Sequence, residues 1–311
     1  MTNKPTEELN KSISEKIERI NISLEEFLPN APMEIMVIEE ALSYSLFAGG
    51  KRIRPLLALM CGELCGAKPE DILPAACSVE FIHTYSLIHD DLPAIDNDDM
   101  RRGKPTSHKV YGEAIAVLTG DAFLTHAFGL LTRYEGEITR KLLTLLIEGA
   151  GMNGMLGGQV ADIIAEKEEP TKDKLNFIHE RKTGALIKAA VLMGGAVAKA
   201  NDEIMQHLDI FSEKTGLAFQ VIDDILDEIG DEKKMGKKVR KDKDKNKCTY
   251  PAVYGIEKSR EIADELTEQA CKELETIHDL TLKASPGKKV YIDKAYEDLK
   301  VMTDFLLQRV H

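Results

Sequence analysis

The chain has 311 residues, 43% of them hydrophobic and 30% charged. This usage is ordinary for a globular protein and excludes disordered, fibrous and linker-rich classes. Lys and Arg total 41 against 53 Asp and Glu, a formal charge of −12, which argues against a general nucleic-acid binder with a basic surface. The length is ample for a sizeable core.

In chain order, Met1–Asn10 carries Glu7 and Glu8 and has no apolar core, so no signal peptide is expected. Gly49-Gly50-Lys51-Arg52-Ile53-Arg54-Pro55 then concentrates three cations after two glycines, without P-loop spacing. Helices are predicted over 56–64, 75–88, 114–131, 141–147, 175–198, 203–226 and 260–274, because apolar residues recur there at three- and four-residue spacing. Alternating strand patterns are missing, and no Pro-, Gly- or Ser-rich linker divides the chain. The expectation is one all-α domain over 1–311, with about ten or more helices. Cys61, Cys65 and Cys77 lie among apolar residues and read as buried thiols rather than metal ligands. Five cysteines in all suit a reducing cytoplasm better than a disulfide framework.

The helix over 75–88 runs into His89-Asp90-Asp91-Leu92-Pro93-Ala94-Ile95-Asp96-Asn97-Asp98-Asp99, five Asp in ten residues. Two carboxylates about 6 Å apart repel by roughly 3 kcal/mol at an effective dielectric near 20. A helix C-terminus disfavours anions further. A divalent cation reverses the sign of both effects, and oxygen ligands with little His or Cys suit Mg²⁺. A solvated acidic loop is the competing reading. Arg101-Arg102-Gly103-Lys104 follows directly; Arg forks bind phosphate oxygens bidentately and Lys adds point charge. Surface solubility is the competing reading for each basic group taken alone.

Gly149-Ala150-Gly151-Met152-Asn153-Gly154 matches a dinucleotide fingerprint. The preceding segment is helical and no βαβ pattern surrounds it, so close helix packing through glycines is the better reading. The packing signal continues through Gly157-Gly158-Gln159-Val160-Ala161-Asp162. The longest apolar run, 189–198, has ten residues against the roughly 18 that span a bilayer, so no membrane insertion is expected. Lys182-Thr183 adds further donors. Gln220, Asp223, Asp224 and Asp227 stand at i, i+3, i+4 and i+7 on one helix face, bordered by Val221, Ile222, Ile225 and Leu226. Metal binding is favoured there over a solvated acidic face. Residues 231–247 hold nine Lys/Arg and four Asp/Glu, a local charge of +5, and read as a basic loop containing Lys237 and Lys247.

Together these blocks resemble the trans-polyprenyl diphosphate synthase family, in particular its bacterial-type farnesyl (geranyltranstransferase) branch. The carriers are Gly50–Pro55, the block from His83 to Pro93, Arg101-Arg102-Gly103, Gly157-Gly158-Gln159, Lys182-Thr183 and the block from Gln220 to Asp227. The resemblance covers most of the chain, about residues 41–254. It implies an isoprenoid-synthase helical bundle with a central active-site cavity. It implies a cluster of about three Mg²⁺ ions held by Asp90, Asp96 and Asp223, with Asp91, Asp224 and Asp227 supporting. It implies that Arg101, Lys182 and Lys237 hold the allylic diphosphate, with Gln220 and Lys247 nearby. Lys51, Arg54, His83 and Arg102 would hold the diphosphate of isopentenyl diphosphate. Thr183 and Gln220 would place oxygens beside a carbocation. Tyr85 and Ser86, about one turn before Asp90, would set product length, and an aromatic Tyr85 resembles a farnesyl floor. A homodimer follows from the family alone. A geranylgeranyl synthase, a non-catalytic subunit of a heteromeric synthase and a terpene cyclase are the rival readings. Arg240, Cys248 and the segment 277–296 depart from the family pattern.

Overall fold

The computed structural model describes residues 4–169, 171–229 and 249–307. Fourteen α-helices carry these residues: α1 (Lys4–Glu26), α2 (Met36–Leu46), α3 (Ile53–Leu64), α4 (Pro69–Asp90), α5 (Ser107–Tyr111), α6 (Glu113–Leu130), α7 (Glu137–Ala150), α8 (Met155–Ala165), α9 (Lys172–His179), α10 (Ala185–Val197), α11 (Asp202–Ile229), α12 (Tyr250–Tyr254), α13 (Ile256–Ala284) and α14 (Lys289–Leu307). Two two-residue strands, β1 (Met100–Arg101) and β2 (Lys104–Pro105), pair antiparallel around Arg102 and Gly103, both at positive φ. That tight turn suits two left-handed residues, and it sets Arg101 and Arg102 in different surroundings. The all-α class holds, with this small ribbon as the one departure among the described residues.

The apolar run at 189–198 is the middle of the core rather than a surface feature. Helix α10 is buried almost throughout and packs on α3, α4, α7 and α11. Its approach to α3 depends on glycine: a Cβ on Gly194 would lie 2.2 Å from the carbonyl oxygen of Ala58. The predicted helix over 175–198 is instead two helices joined by a π-helical turn, Glu180–Gly184. Such extra-residue turns often mark functional positions, and this one carries Lys182 and Thr183.

Helix α4 begins six residues earlier than predicted, at Pro69, with Glu70 and Asp71 in its first turn. Pro74 lies inside it, where the ring crowds a carbonyl of the preceding turn. The Tyr134 hydroxyl bridges the opened turn, accepting from the Ala75 amide (3.2 Å) and donating to the Asp71 carbonyl (2.6 Å). Proline therefore did not end the helix. The segment 277–296 is also regular: α13 continues to Ala284, a turn at Pro286–Lys288 follows, and α14 doubles back. Lys288 Nζ donates to the Gly66 carbonyl and Tyr291 to that of Ala67, each at 2.7 Å. These bonds tie the C-terminal hairpin to the loop after α3. Cys61 and Cys77 are fully buried, and Cys61, Cys65, Cys77 and Cys271 are unpaired thiols. Burial pushes the Cys65 thiol up to about 12, as expected of core cysteines.

By length and composition alone, Glu113–Arg133 would suffice to cross a membrane. No single apolar run revealed this, because Thr119, Asp121 and Thr125 interrupt it. Here α6 packs against α4, α5 and α2. Its buried residues include Ala116, Phe123 and Ala127, while Val117 and Leu118 stay exposed.

Candidate active site

Asp90 is the last residue of α4, and the chain curls back beyond it. The Asp96 amide donates to the Asp90 carbonyl at 2.8 Å, and the Leu92 carbonyl accepts from Ile95 (2.9 Å) and Asn97 (3.1 Å). Asn97 takes the left-handed conformation that closes the curl. Asp96 is thereby brought near enough to repel Asp90. Burial is the main cause that pushes the Asp90 carboxyl up to about 6. Lys182 and Arg101 oppose that shift, while Asp96 and Asp91 add to it. Asp91, almost fully buried, is engaged by Arg101: Nε lies 2.7 and 2.9 Å from its two oxygens and Nη2 lies 2.6 Å from Oδ1. A fork–carboxylate pair of this kind fixes the guanidinium plane. Asp99 pairs with Lys109 on the surface at 2.7 Å.

The influence of Lys182 on Asp90 links the first acidic cluster to the π turn. Lys182 Nζ also contacts Asp162 of α8 at 2.6 Å. Gly158, one turn before Asp162, lets α8 approach the π turn, since a Cβ there would lie 2.1 Å from the Lys182 amide nitrogen. Gly149 likewise faces Ala189 of α10, where a Cβ would sit 2.6 Å from the alanine methyl. The glycine-rich stretch is therefore a packing device, and the element that leads into it is helix α7 rather than a strand.

Thr183 and Gln220 belong to one hydrogen-bonded chain. Thr183 Oγ1 donates to Gln220 Oε1 (2.7 Å), and Gln220 Nε2 donates to Asp224 Oδ1 (2.9 Å). Asp224 Oδ2 accepts from the Tyr250 amide at 2.9 Å and lies 3.2 Å from His179 Nε2. The rings of His179 and Tyr250 stack at 5.5 Å. Both Asp224 oxygens are thus engaged by protein groups, whereas Asp223 on the same helix is only partly buried. Asp227 is buried and has its own partner.

A third group of residues surrounds α3 and α4. Arg54 Nη1 lies 3.4 Å from His83 Nε2, and Arg102 Nη1 donates to the Gly49 carbonyl. Burial lowers the Arg54 guanidinium to about 10. Burial, with Arg54 and Arg102 adding, holds His83 well below its ordinary value, so His83 is neutral at pH 7. Arg54 Nε is buried without a hydrogen-bond partner. A buried donor of this kind is costly unless a ligand satisfies it, and among cations the fitting ligand is an anion with several oxygens. Lys51 is exposed nearby. Below the first cluster, Tyr85 is buried and meets His89 edge-on at 5.7 Å. The Ser86 hydroxyl is turned back onto the His83 carbonyl at 2.9 Å.

Lys237 and Lys247 lie outside the described residues. Among the described residues, no three His, Cys, Asp or Glu side chains converge closely enough to hold a cation by themselves. Mg²⁺ typically shares only one or two carboxylates with substrate phosphates. Asp90, desolvated and beside Asp96, fits that mode. A separate groove of about 570 Å³ between α7, the π turn, α10 and α11 is lined by none of the site residues expected from the sequence.

The family model for polyprenyl synthetase matches residues 35–282. The chain belongs to the polyprenyl synthetase family. It is 46% identical to a farnesyl diphosphate synthase of Geobacillus stearothermophilus, covering 72% of this chain and 77% of that protein. It is 42% identical to a geranylgeranyl diphosphate synthase of Cyanophora paradoxa, covering 88% and 87%. A solved geranyltransferase from Helicobacter pylori, complexed with magnesium and isoprenyl diphosphate, superposes with TM-score 0.81 at 32% identity, covering 96% of this chain and 97% of that one. As a polyprenyl synthetase it is a transferase of isoprenoid biosynthesis, in a Mg²⁺-dependent family, with trans-prenyl diphosphate synthase activity.

Sequence reasoning gave no role to three residues that the structure brings to this site: Asp162, His179 and Tyr250. Asp162 had a signal in the Gly157–Asp162 block. His179 and Tyr250 had none, because their partner Asp224 is reached only through the tertiary fold.

Proposed function

We propose that this chain, acting as one domain over 1–311, condenses isopentenyl diphosphate with dimethylallyl or geranyl diphosphate to release farnesyl diphosphate and pyrophosphate. The observation that carries the reading is the pairing of two unlike pockets. A desolvated carboxylate cluster at Asp90 and Asp96 meets Lys182, and a separate cationic pocket, with Lys51 and Arg102 exposed, holds the buried, unpartnered Arg54 Nε. One pocket suits a metal-bridged diphosphate and the other a diphosphate bound directly.

In this reading Asp90, Asp96 and Asp223 hold Mg²⁺, which when bound neutralises charge on the leaving diphosphate. Lys182, and Arg101 oriented by Asp91, add fixed positive charge to the same oxygens, with Lys237 and Lys247 joining them. Asp224 orients Gln220, which in turn accepts from Thr183, so oxygen lone pairs face the carbon that becomes cationic. Lys51, Arg54, neutral His83 and Arg102 hold isopentenyl diphosphate so that its double bond attacks that carbon. The released pyrophosphate takes the proton lost as the new double bond forms. Tyr85 closes the cavity below Asp90 and supports a C15 rather than a C20 product, although relatives of both product classes match.

The exposed apolar residues Val117 and Leu118 on α6 support a homodimer built on that helix. The unpaired thiols suit a cytoplasmic protein. Incubation of pure protein with Mg²⁺, isopentenyl diphosphate and geranyl diphosphate tests the whole reading. Farnesyl diphosphate is the expected product, abolished by chelation. A C20 product favours the geranylgeranyl alternative, and no condensation at all refutes synthase activity.

A further inference from the structure

Arg52 stands between Lys51 and Arg54 but turns the other way. Its backbone is left-handed (φ 51°, ψ 34°), a conformation that side chains with a Cβ rarely keep without tertiary restraint. The restraint is its own guanidinium, on a residue that is 5% exposed. Nε donates to Asn21 Oδ1 of α1 at 2.9 Å. Nη1 donates to Glu80 Oε1 of α4 at 2.7 Å, and Nη2 to the carbonyl of Leu46, the last residue of α2, also at 2.7 Å. One side chain thus ties three helices to the start of α3. Glu80 is 2% exposed and lies three residues before His83. It is also the carboxylate whose charge acts on both Arg54 and Arg102.

We infer that Arg52 and Glu80 are positioning residues for the isopentenyl diphosphate pocket. The pair holds the left-handed turn that sets Lys51 and Arg54 beside that pocket, and its carboxylate lets Arg54, Arg102 and neutral His83 stay together before the substrate arrives. This inference rests on the proposed assignment of that pocket. Arg52 itself touches no substrate: every nitrogen of its fork is already bonded within the protein. Lysine at this position supplies the charge but not the three-way fork.

Steady-state kinetics with each substrate varied in turn tests it. Arg52→Lys is expected to raise KM for isopentenyl diphosphate at least tenfold, with KM for geranyl diphosphate changed less than twofold. An apolar double variant, Arg52→Met with Glu80→Met, removes both buried charges together, a change that folds often tolerate. It is expected to keep a thermal midpoint within a few degrees of the parent while retaining the raised KM. Recovery of both midpoint and KM would make the pair structural only and overturn the inference. Lys51→Ala is the reference. If it raises the isopentenyl diphosphate KM and Arg52→Lys does not, the positioning role falls and the pocket assignment stands. If Lys51→Ala leaves that KM unchanged, the pocket assignment falls and the inference falls with it.

Discussion

Asp90→Asn separates the cost of this site from its use. Burial pushes the Asp90 carboxyl from 3.8 to about 6, and each unit is worth about 1.36 kcal/mol. Keeping Asp90 ionised in the metal-free fold therefore costs about 3 kcal/mol at pH 7.5. The sign follows from the raised value. Relief by protonation is fully present below the unfolded value and is lost as pH rises through about 6. Asparagine keeps the shape without the charge. In chelator, the variant should melt roughly 5 °C above the parent at pH 7.5. At pH 4.5 most of the penalty has been titrated away, and the gain should shrink to about 1 kcal/mol. Adding Mg²⁺ with a non-hydrolysable diphosphate should raise the parent midpoint and leave the variant nearly unmoved, and kcat should fall at least a hundredfold. Differential scanning fluorimetry at both pH values measures each quantity. A variant less stable than the parent at pH 7.5, or an offset independent of pH, would refute the idea that Asp90 is a strained anion awaiting a cation.

Three further outcomes follow from the geometry. Asp224→Asn should lower kcat about tenfold through Gln220 without raising the Mg²⁺ concentration for half-activity, whereas Asp223→Asn should raise that concentration; equal metal effects would return Asp224 to the ligand set. Gly158→Ala forces α8 from the Lys182 backbone and should cost about 1–3 kcal/mol of stability with a marked loss of kcat, read by thermal melting beside kinetics; a fully active variant would show that the π turn is not held by this contact. Tyr85→Ala should shift the product from C15 toward C20 or longer, read by mass spectrometry, and an unchanged distribution removes Tyr85 as the cavity floor.

The legible parts of this protein were those governed by local chemistry. Helical spacing marks α3, α7 and α11 because an amphipathic period is written in consecutive residues. Two Asp clusters and the basic blocks were visible because like charges so close together need a cation or an anionic ligand, wherever the chain places them. What the tertiary structure decided was division of labour among similar residues. Arg52 and Arg54 are two residues apart, yet one is spent on Glu80 and the other keeps a donor open. Asp223 and Asp224 are adjacent, yet the second is enclosed by Gln220, Tyr250 and His179. The break of the predicted 175–198 helix into a π turn, and the survival of α4 through Pro74, also depend on distant partners, Gly158 and Tyr134. The physical reason is common to all four. A side chain's role depends on which groups desolvate and satisfy it, and those groups arrive from elements far away in the sequence.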